Sequence, residues 1–326
     1  ENPAAYVGMF NTKHYSESIL LPSDMYTCSC SRVGTDGLSL VLEVDQKKVF
    51  DSSSEKSYVL PLIVRTENEV LSDVFYVFVP SYTVANGMVT VHLSSYATMD
   101  IYYADSSNDK AVIYCPGGGY SNTSLPDMET NPIFKNAGVT TGVLWYRRPT
   151  AEWKGLKELP LTDVTDALAV LKAHSSDWGG YTKYGTAGRS AGGHLAAVSA
   201  AYHKDEFDFQ ILLYPVITME RPYTHEGSRF GLLGPEPSEE LVQLYCNHKQ
   251  VTSETPAAFI LAASDDWLVP VKNSLLYYEA LVENKVSATM HIYPTGGHGF
   301  GWGDNYIYKS EWASELERWF STVVMK

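Results

Sequence analysis

The segment from Gly188 to Gly192 fits the pattern G-x-S-x-G, with Ser190 at its centre. In a sharp turn between a strand and a helix the serine backbone is strained, and small residues two positions before and after it avoid clashes. Such a turn exposes the hydroxyl at the carboxyl edge of a sheet, where the next helix favours a developing oxyanion. The pattern alone also fits a glycine-rich connection with an incidental serine. Because a strand is predicted at Tyr184–Ala187 and a helix at Leu195–Ala201, we predict that Ser190 is a nucleophile.

A general base and an acid are predicted downstream of this serine. His298 lies in a glycine-rich loop after the last predicted strand, and Asp265 and Asp266 follow the apolar run that begins at Ile260. The chain order serine, acid, histidine is that of α/β-hydrolases. Neutral histidine would take the serine proton, while the acid would hold its tautomer. We predict Asp265 as the acid because it leaves the strand first; Asp266 is the alternative, with a loop or helix cap as its ordinary role.

Three consecutive glycines after another buried strand offer a site for the oxyanion. Gly117, Gly118 and Gly119 follow the apolar run Ala111–Cys115. Without side chains in the way, their backbone N–H groups can turn toward a tetrahedral oxyanion. We predict as donors the N–H groups of Gly118 or Gly119 and of Ala191. Taken alone, three glycines would indicate only a flexible turn.

These residues must be positioned by a set of alternating strands and helices, which begins near Val89. Apart from the runs already named, further predicted strands are Thr140–Tyr146, Phe209–Tyr214, Ala257–Ala262 and Thr289–Tyr293, and further predicted helices are Thr162–His174 and Ser310–Val324. Such alternation predicts a mostly parallel sheet covered by helices on both faces. The catalytic candidates then share the edge where the strands end.

The first ~85 residues have a different periodicity. Short β-branched or aromatic segments, Leu38–Val44, Tyr58–Arg65 and Val74–Val79, are separated by turn-forming residues, which predicts an antiparallel β-sandwich. Asn86-Gly87 is a turn signal. We therefore predict a sandwich-like domain over residues 1–86 and an α/β-hydrolase domain over residues 87–326.

Composition excludes several classes of function. The net charge of −14 disfavours nucleic acid as a partner. No stretch approaches the roughly 18–20 apolar residues that a membrane span needs. Neither the four cysteines nor the histidines have the spacing of a metal site, so no metal is expected. His194, just after the sharp turn at Ser190, is expected to pack in the protein interior rather than to take part in the reaction. The chain begins at Glu1 without an initiator Met or leader, as expected of a processed or shortened chain.

Several motifs follow one another along the chain. They are Pro116–Tyr120, Trp145–Arg147, Pro160–Asp163, Gly188–Ala197, Asp265-Asp266 with Val269-Pro270 and Asn273-Ser274, and Gly296–Gly299. This ordered set, over about residues 89–326, resembles bacterial glycan-directed α/β-hydrolase esterases of the acetyl xylan and feruloyl esterase type, which are related to prolyl-oligopeptidase-like and lipase-like hydrolases. The stretch Arg221–Gly234, which includes His225, loosely resembles their cap or pocket segment.

The resemblance implies a serine esterase that removes acetyl or hydroxycinnamoyl groups from polysaccharides or oligosaccharides without a cofactor, in the periplasm or outside the cell. The resemblance also supports Asp265, the first residue of the Asp265-Asp266 pair, as the acid of the catalytic triad. Tyr120, Trp267 and Trp302 neighbour the predicted catalytic loops and could stack on a sugar ring or simply pack, and Arg189 is a further candidate for substrate contact. The alternatives are a prolyl-oligopeptidase-like serine peptidase and a catalytically silent glycan-binding protein.

Overall fold

A computed structural model describes residues 19–20, 26–33, 37–44, 57–65, 70–78, 81–85, 88–93, 97–104, 109–122, 133–149, 157–301, 303 and 305–324. The chain divides into two compact units, Glu1–Thr98 and Met99–Lys326. The predicted domain boundary between residues 86 and 87 stays a prediction, since both residues lie outside the described part of the chain.

The elements described in the first unit are β-strands. They are β1 (Ile19–Leu20), β2 (Tyr26–Val33), β3 (Gly37–Val44), β4 (Ser57–Arg65), β5 (Val70–Phe78), β6 (Ser81–Ala85) and β7 (Met88–His92). β2 pairs with β3, β4 with β5 and β6 with β7, all antiparallel, while β1 joins the free edge of β4 in parallel. The predicted strands Leu38–Val44 and Tyr58–Arg65 correspond to β3 and β4, and Val74–Val79 covers only the second half of β5. The sandwich packing stays a prediction.

The later strands and the helices alternate along the chain, as predicted. The strands are β8 (Thr98–Tyr102), β9 (Lys110–Cys115), β10 (Val139–Trp145), β11 (Lys183–Arg189), β12 (Phe209–Leu213), β13 (Ala257–Ala263) and β14 (Ala288–Tyr293). The helices are α1 (Ile133–Asn136), α2 (Leu159–Ala173), α3 (Ser175–Trp178), α4 (Ala191–Tyr202), α5 (Glu226–Leu233), α6 (Glu239–Leu244), α7 (Lys272–Glu283) and α8 (Lys309–Trp319). A short 3₁₀ turn spans Asn247–Lys249, and the chain leaves α8 through a π-helical turn, Phe320–Val324.

One sheet carries the strands from β8 onward, in the order β14-β13-β12-β11-β9-β10-β8. All the pairings that join β9 through β14 are parallel. The carboxyl ends of these strands therefore meet at one edge, and the loops that follow β9, β11, β13 and β14 carry the predicted catalytic residues. The predicted mostly parallel α/β fold is confirmed.

Helices cover both faces of this sheet. On one face Phe259 and Leu261 of β13 pack with Trp312 and Leu316 of α8. On the other face Ala258 and Ile260 of the same strand pack with side chains of α4 and α7. A strand buried on both sides has no polar face, which explains why its sequence is a continuous apolar run.

Two helices begin earlier than their sequence pattern predicts. α2 starts at Leu159, with Pro160 in its first turn, where the fixed φ of proline suits a helix. α4 starts at Ala191 and includes Gly192 and Gly193. Glycine lowers helix propensity, but a Cβ on Gly192 would lie 1.9 Å from the carbonyl oxygen of Cys115, so packing against β9 requires glycine there.

The described cysteine side chains, Cys115 and Cys246, are buried free thiols. Cys28 and Cys30 belong to β2, and their side chains lie outside the described part of the chain. Among the described residues, none of the helices combines the length and apolarity needed to cross a membrane.

Candidate active site

Ser190 stands in the sharp turn between β11 and α4. Its backbone has φ 53° and ψ −123°, in the region that L-residues rarely adopt, and its N–H donates to the carbonyl of Leu213. A Cβ on Gly188 would lie 2.2 Å from the carbonyl oxygen of Gly192, so the flanking glycines are required by the tightness of the turn. The Ser190 side chain does not cap α4, which leaves its hydroxyl available to other partners.

His298 supplies that partner. Its Nε2 lies 2.9 Å from Ser190 Oγ, and its Nδ1 lies 2.8 Å from Asp266 Oδ2. A carboxylate only accepts hydrogen bonds, so Nδ1 carries the proton and Nε2 accepts from the serine hydroxyl. The loop reaches this position through Gly297 at φ 60° and Gly299 at φ 90°. This arrangement has the geometry of a serine that a histidine can deprotonate.

The carboxylate on His298 is Asp266, which corrects the prediction that Asp265 holds this place. The chain turns at Ser264-Asp265 after β13 ends, so the second acid, not the first, reaches the histidine. Asp266 Oδ1 also accepts from the N–H groups of Leu268 and Val269, at 3.0 and 2.9 Å.

Asp265 has a different set of contacts. Its carboxylate accepts hydrogen bonds from the N–H groups of Gly296 and Gly297, at 3.2 and 2.8 Å. It therefore fixes the backbone of the loop that carries His298. Asp266 thus holds the imidazole ring of His298, and Asp265 holds the loop that carries it.

The glycine loop after β9 lies beside Ser190, since a Cβ on Gly117 would lie 3.3 Å from the Ser190 Cβ. Gly118 has φ 131° and Gly119 has φ 65°, and the carbonyl of Gly118 accepts from the N–H groups of Ser121 and Asn122. In the described part of the chain no acceptor pairs with the N–H groups of Gly118, Gly119 or Ala191. Ala191 is also the first residue of α4, whose dipole favours negative charge. These N–H groups can stabilise an oxyanion.

A buried polar network supports this loop. Tyr146 Oη donates to the carbonyl of Pro116 at 2.8 Å. Burial lowers the pKa of His194 to about 4, so its ring is neutral. His194 Nε2 donates to the carbonyl of Tyr245 at 2.8 Å, and Nδ1 therefore accepts from Tyr120 Oη at 2.9 Å. Tyr120 is 1% exposed, so the prediction that its ring contacts substrate is wrong; the ring packs under the loop.

The segment that carries Tyr146 is itself held by an ion pair. Asp163 accepts from the backbone N–H and the Nε of Arg147, at 2.7 and 2.8 Å, and both side chains are buried. Two of the sequence motifs quoted above, Trp145–Arg147 and Pro160–Asp163, thus meet in the structure.

A cavity of about 390 Å³ opens onto Ser190 and His298. Its lining includes Arg189, one of the predicted substrate contacts. Trp267 is 78% exposed beside Gly297 and outside this lining, and Trp302 lies outside the described residues. The lining also includes His225 and Gly227, from the stretch that loosely resembles a cap or pocket segment, and four residues that sequence reasoning did not select, namely Ser121, Asn122, Tyr214 and Leu268. Among the described residues, no group of three or more His, Cys, Asp or Glu side chains is placed to hold a metal ion.

Comparison with known proteins gives the family. The sequence profile of the prolyl oligopeptidase family matches residues 139–326, more than half of the chain. The chain belongs to this family.

An acetylxylan esterase of Xylanibacter ruminicola (strain ATCC 19189 / DSM 19721 / CIP 105475 / JCM 8958 / 23) is 31% identical over 236 residues, which cover 70% of this chain and 48% of that protein. The endo-1,4-beta-xylanase B of Butyrivibrio fibrisolvens is 33% identical over 226 residues, which cover 63% of this chain and 35% of that protein. The chain thus spans about half or less of the length of these curated relatives.

A solved structure gives a fuller match. The acetyl ester-xyloside bifunctional hydrolase of Caldicellulosiruptor lactoaceticus is 32% identical, with a TM-score of 0.62 over 70% of this chain and 88% of that one. The family and this structure confirm the α/β-hydrolase fold.

Proposed function

We propose that this prolyl oligopeptidase family member is a serine esterase that removes acyl groups, acetyl in the first place, from xylan-type polysaccharides or oligosaccharides. The observation that carries the proposal is the continuous chain of hydrogen bonds from Asp266 through His298 to Ser190, which opens onto a cavity beside unpaired backbone donors. The similarity to an acetylxylan esterase and an acetyl ester-xyloside hydrolase supports acetylated glycan as the substrate.

The first chemical step forms an acyl-enzyme. His298 Nε2 takes the proton from Ser190 Oγ while that oxygen attacks the ester carbonyl carbon. The carbonyl oxygen becomes an oxyanion, which accepts hydrogen bonds from Ala191 N–H and from Gly118 or Gly119 N–H. Asp266 stabilises the imidazolium without taking its proton. When the tetrahedral intermediate collapses, the protonated Nε2 gives its proton to the departing sugar oxygen.

The second step regenerates the serine. Water enters where the sugar left, His298 takes one of its protons, and the hydroxide attacks the acyl carbon. The intermediate collapses with release of the carboxylic acid, and Ser190 Oγ recovers its proton from His298.

Release of acetate from acetylated xylo-oligosaccharide by the purified protein and by Ser190→Ala tests the proposal. We expect the variant to lose at least about 10³-fold in kcat, since removal of a triad member leaves only binding and oxyanion stabilisation. Equal rates for the two proteins would exclude the serine mechanism. The control is circular dichroism of both proteins, which should coincide.

A serine peptidase is the second candidate, favoured by the family to which the chain belongs. The same hydrogen-bonded residues can cleave an amide. Turnover of a prolyl p-nitroanilide faster than turnover of acetate esters would favour it. Binding of xylan without turnover of either substrate would instead identify a glycan-binding protein.

We also propose that the protein works in the periplasm or outside the cell, since a polymeric substrate does not cross a membrane. Cell fractionation with an antibody against the protein tests this. Recovery of the protein only with cytosolic markers would contradict it.

A further inference from the structure

His225 directly precedes α5, at the wall of the cavity beside the glycine loop. It is the N-cap of the helix, and its ring Nδ1 accepts from the N–H of Ser228 at 3.2 Å. Ser228 Oγ lies 2.8 Å from the same nitrogen. The ring edge approaches the loop closely, since a Cβ on Gly119 would lie 3.7 Å from His225 Cε1.

These contacts determine the tautomer of His225. A backbone N–H only donates, so Nδ1 must be unprotonated and the ring proton lies on Nε2. Burial, with a smaller contribution from His298, lowers the pKa of His225 and keeps the ring neutral. Within the described part of the chain nothing accepts from Nε2, and this atom is not sealed in the core. His225 thus brings to the cavity wall a donor, Nε2–H, that has no partner among the described residues.

The chemistry of an acetyl ester limits what this donor can bind. The carbonyl oxygen is taken by the backbone donors, the ester oxygen receives its proton from His298, and the methyl group has no acceptor. The acceptors that remain in an acetylated sugar are the hydroxyl and ring oxygens of the alcohol. A site that hydrogen-bonds a substrate hydroxyl discriminates strongly against analogues that lack it.

We propose that His225 is a specificity-determining residue whose Nε2–H donates to an oxygen of the sugar next to the scissile acetyl ester. This inference rests on the proposed esterase function and deepens it, because it assigns recognition of a polyhydroxylated alcohol to a single side chain. Ser228 is a positioning residue, because its N–H and hydroxyl hold the imidazole in the orientation and tautomer that present Nε2.

The test compares two acetate esters with saturated six-membered rings: mono-O-acetylated methyl β-xyloside, which has free hydroxyls, and cyclohexyl acetate, which has none. His225→Asn is the informative variant, because asparagine is a good N-cap for Ser228 N–H but is too short to replace the imidazole. We expect the ratio of kcat/KM for the xyloside to that for cyclohexyl acetate to fall about 10- to 100-fold, as expected for loss of one hydrogen bond to substrate. Most of the loss should lie in KM if the bond is equally strong in the ground and transition states.

His203→Asn, on the end of α4, is the matched control and should leave the ratio at the wild-type value. His225→Gln, which keeps an N–H donor on a longer side chain, should recover part of the ratio. An unchanged ratio in His225→Asn, with both esters hydrolysed by wild type, would overturn the inference alone. A proportional loss on both esters would place His225 at the oxyanion instead and would also overturn it. Failure of wild type to hydrolyse either ester would instead reject the proposed function.

Discussion

Two adjacent carboxylates have different tasks at the active site. Asp266 holds the His298 ring through Nδ1, whereas Asp265 holds the backbone of the loop on which that ring stands. Both contacts are charge-assisted, but only the first involves the group that moves a proton. The residues are therefore not interchangeable, although they are identical in type and consecutive in the chain.

The pair Asp266→Asn and Asp265→Asn tests this division. An amide at residue 266 can donate to Nδ1 and so favours the wrong tautomer, and kcat should fall by roughly 10³–10⁴-fold. An amide at residue 265 still accepts from one glycine N–H, and kcat should fall by less than about tenfold. Initial rates on p-nitrophenyl acetate give both values. A larger loss in Asp265→Asn than in Asp266→Asn would restore Asp265 as the acid.

The sequence alone predicts that Ser190 and His298 lie close together, because glycines flank each of them and a strand precedes each loop. It cannot choose between Asp265 and Asp266, because the choice depends on the turn after β13, and both acids are compatible with a turn. The resemblance places His225 in a pocket-like segment, but its individual role is missed for a similar reason. A histidine before a helix has no special pattern, and its cavity position depends on α5 packing, where a Cβ on Gly231 would lie 2.2 Å from the Gly119 carbonyl oxygen.

At the scale of elements, the glycine loop and α4 are held together by buried polar contacts. His194 on α4 receives a hydrogen bond from Tyr120 and gives one to the Tyr245 carbonyl, and Asn247 Nδ2 donates to the carbonyl of His194. A protonated ring could not accept from Tyr120. The loop and the helix therefore share a dependence on one neutral imidazole.

This dependence predicts an acid-sensitive stability. In the folded protein the pKa of His194 is about 4, below the ordinary value of 6.5. Above pH 6.5 the ring is therefore neutral in both the folded and the unfolded chain, and it does not change the free energy of unfolding. Between pH 6.5 and 4 the unfolded chain binds a proton that the folded chain does not, so the free energy of unfolding falls, by roughly 3 kcal/mol at pH 4 and below.

His194→Gln should remove this part of the pH dependence. We expect it to unfold more easily than wild type at pH 7.5, by about 1–3 kcal/mol, since the amide replaces the ring imperfectly. The difference between the two proteins should shrink by roughly 2 kcal/mol at pH 5. Urea denaturation of both proteins at both pH values measures this difference in the free energy of unfolding. The contributions of the other titrating groups are the same in the two proteins and cancel. A constant difference would contradict a neutral His194.

The elements themselves are well predicted where a strand is buried on both faces, because such a strand is a continuous apolar run. Their ends are less well predicted, as α4 shows. Gly192 and Gly193 have low helix propensity, yet both belong to the helix, and glycine is required there because β9 and Pro215 pack too closely for a side chain. Propensity is a local property, whereas this contact joins residues far apart in the chain.

At the scale of the whole molecule, the net charge of −14 bears on the proposed substrate, because it sets how fast charged and neutral xylans approach the protein. Long-range repulsion slows the approach of an anionic polymer, and salt screens it, with a Debye length of about 10 Å at 0.1 M. We expect kcat/KM on acetylated glucuronoxylan to rise about 2- to 5-fold between 10 and 200 mM NaCl. Neutral acetylated xylo-oligosaccharides should show no such rise. A fall with salt on the anionic polymer would point to a local basic binding site.

The strained backbone of Ser190 has a consequence for evolution and engineering. At φ 53° and ψ −123°, a conformation that only glycine adopts freely, the nucleophile costs the fold about 1–3 kcal/mol. Ser190→Gly should therefore melt above both wild type and Ser190→Ala, by about 2–4 °C for each kcal/mol recovered. Selection for thermal stability alone would drive this position toward an inactive glycine. Under the proposed mechanism, the protein carries serine here at the expense of stability because the reaction needs its hydroxyl.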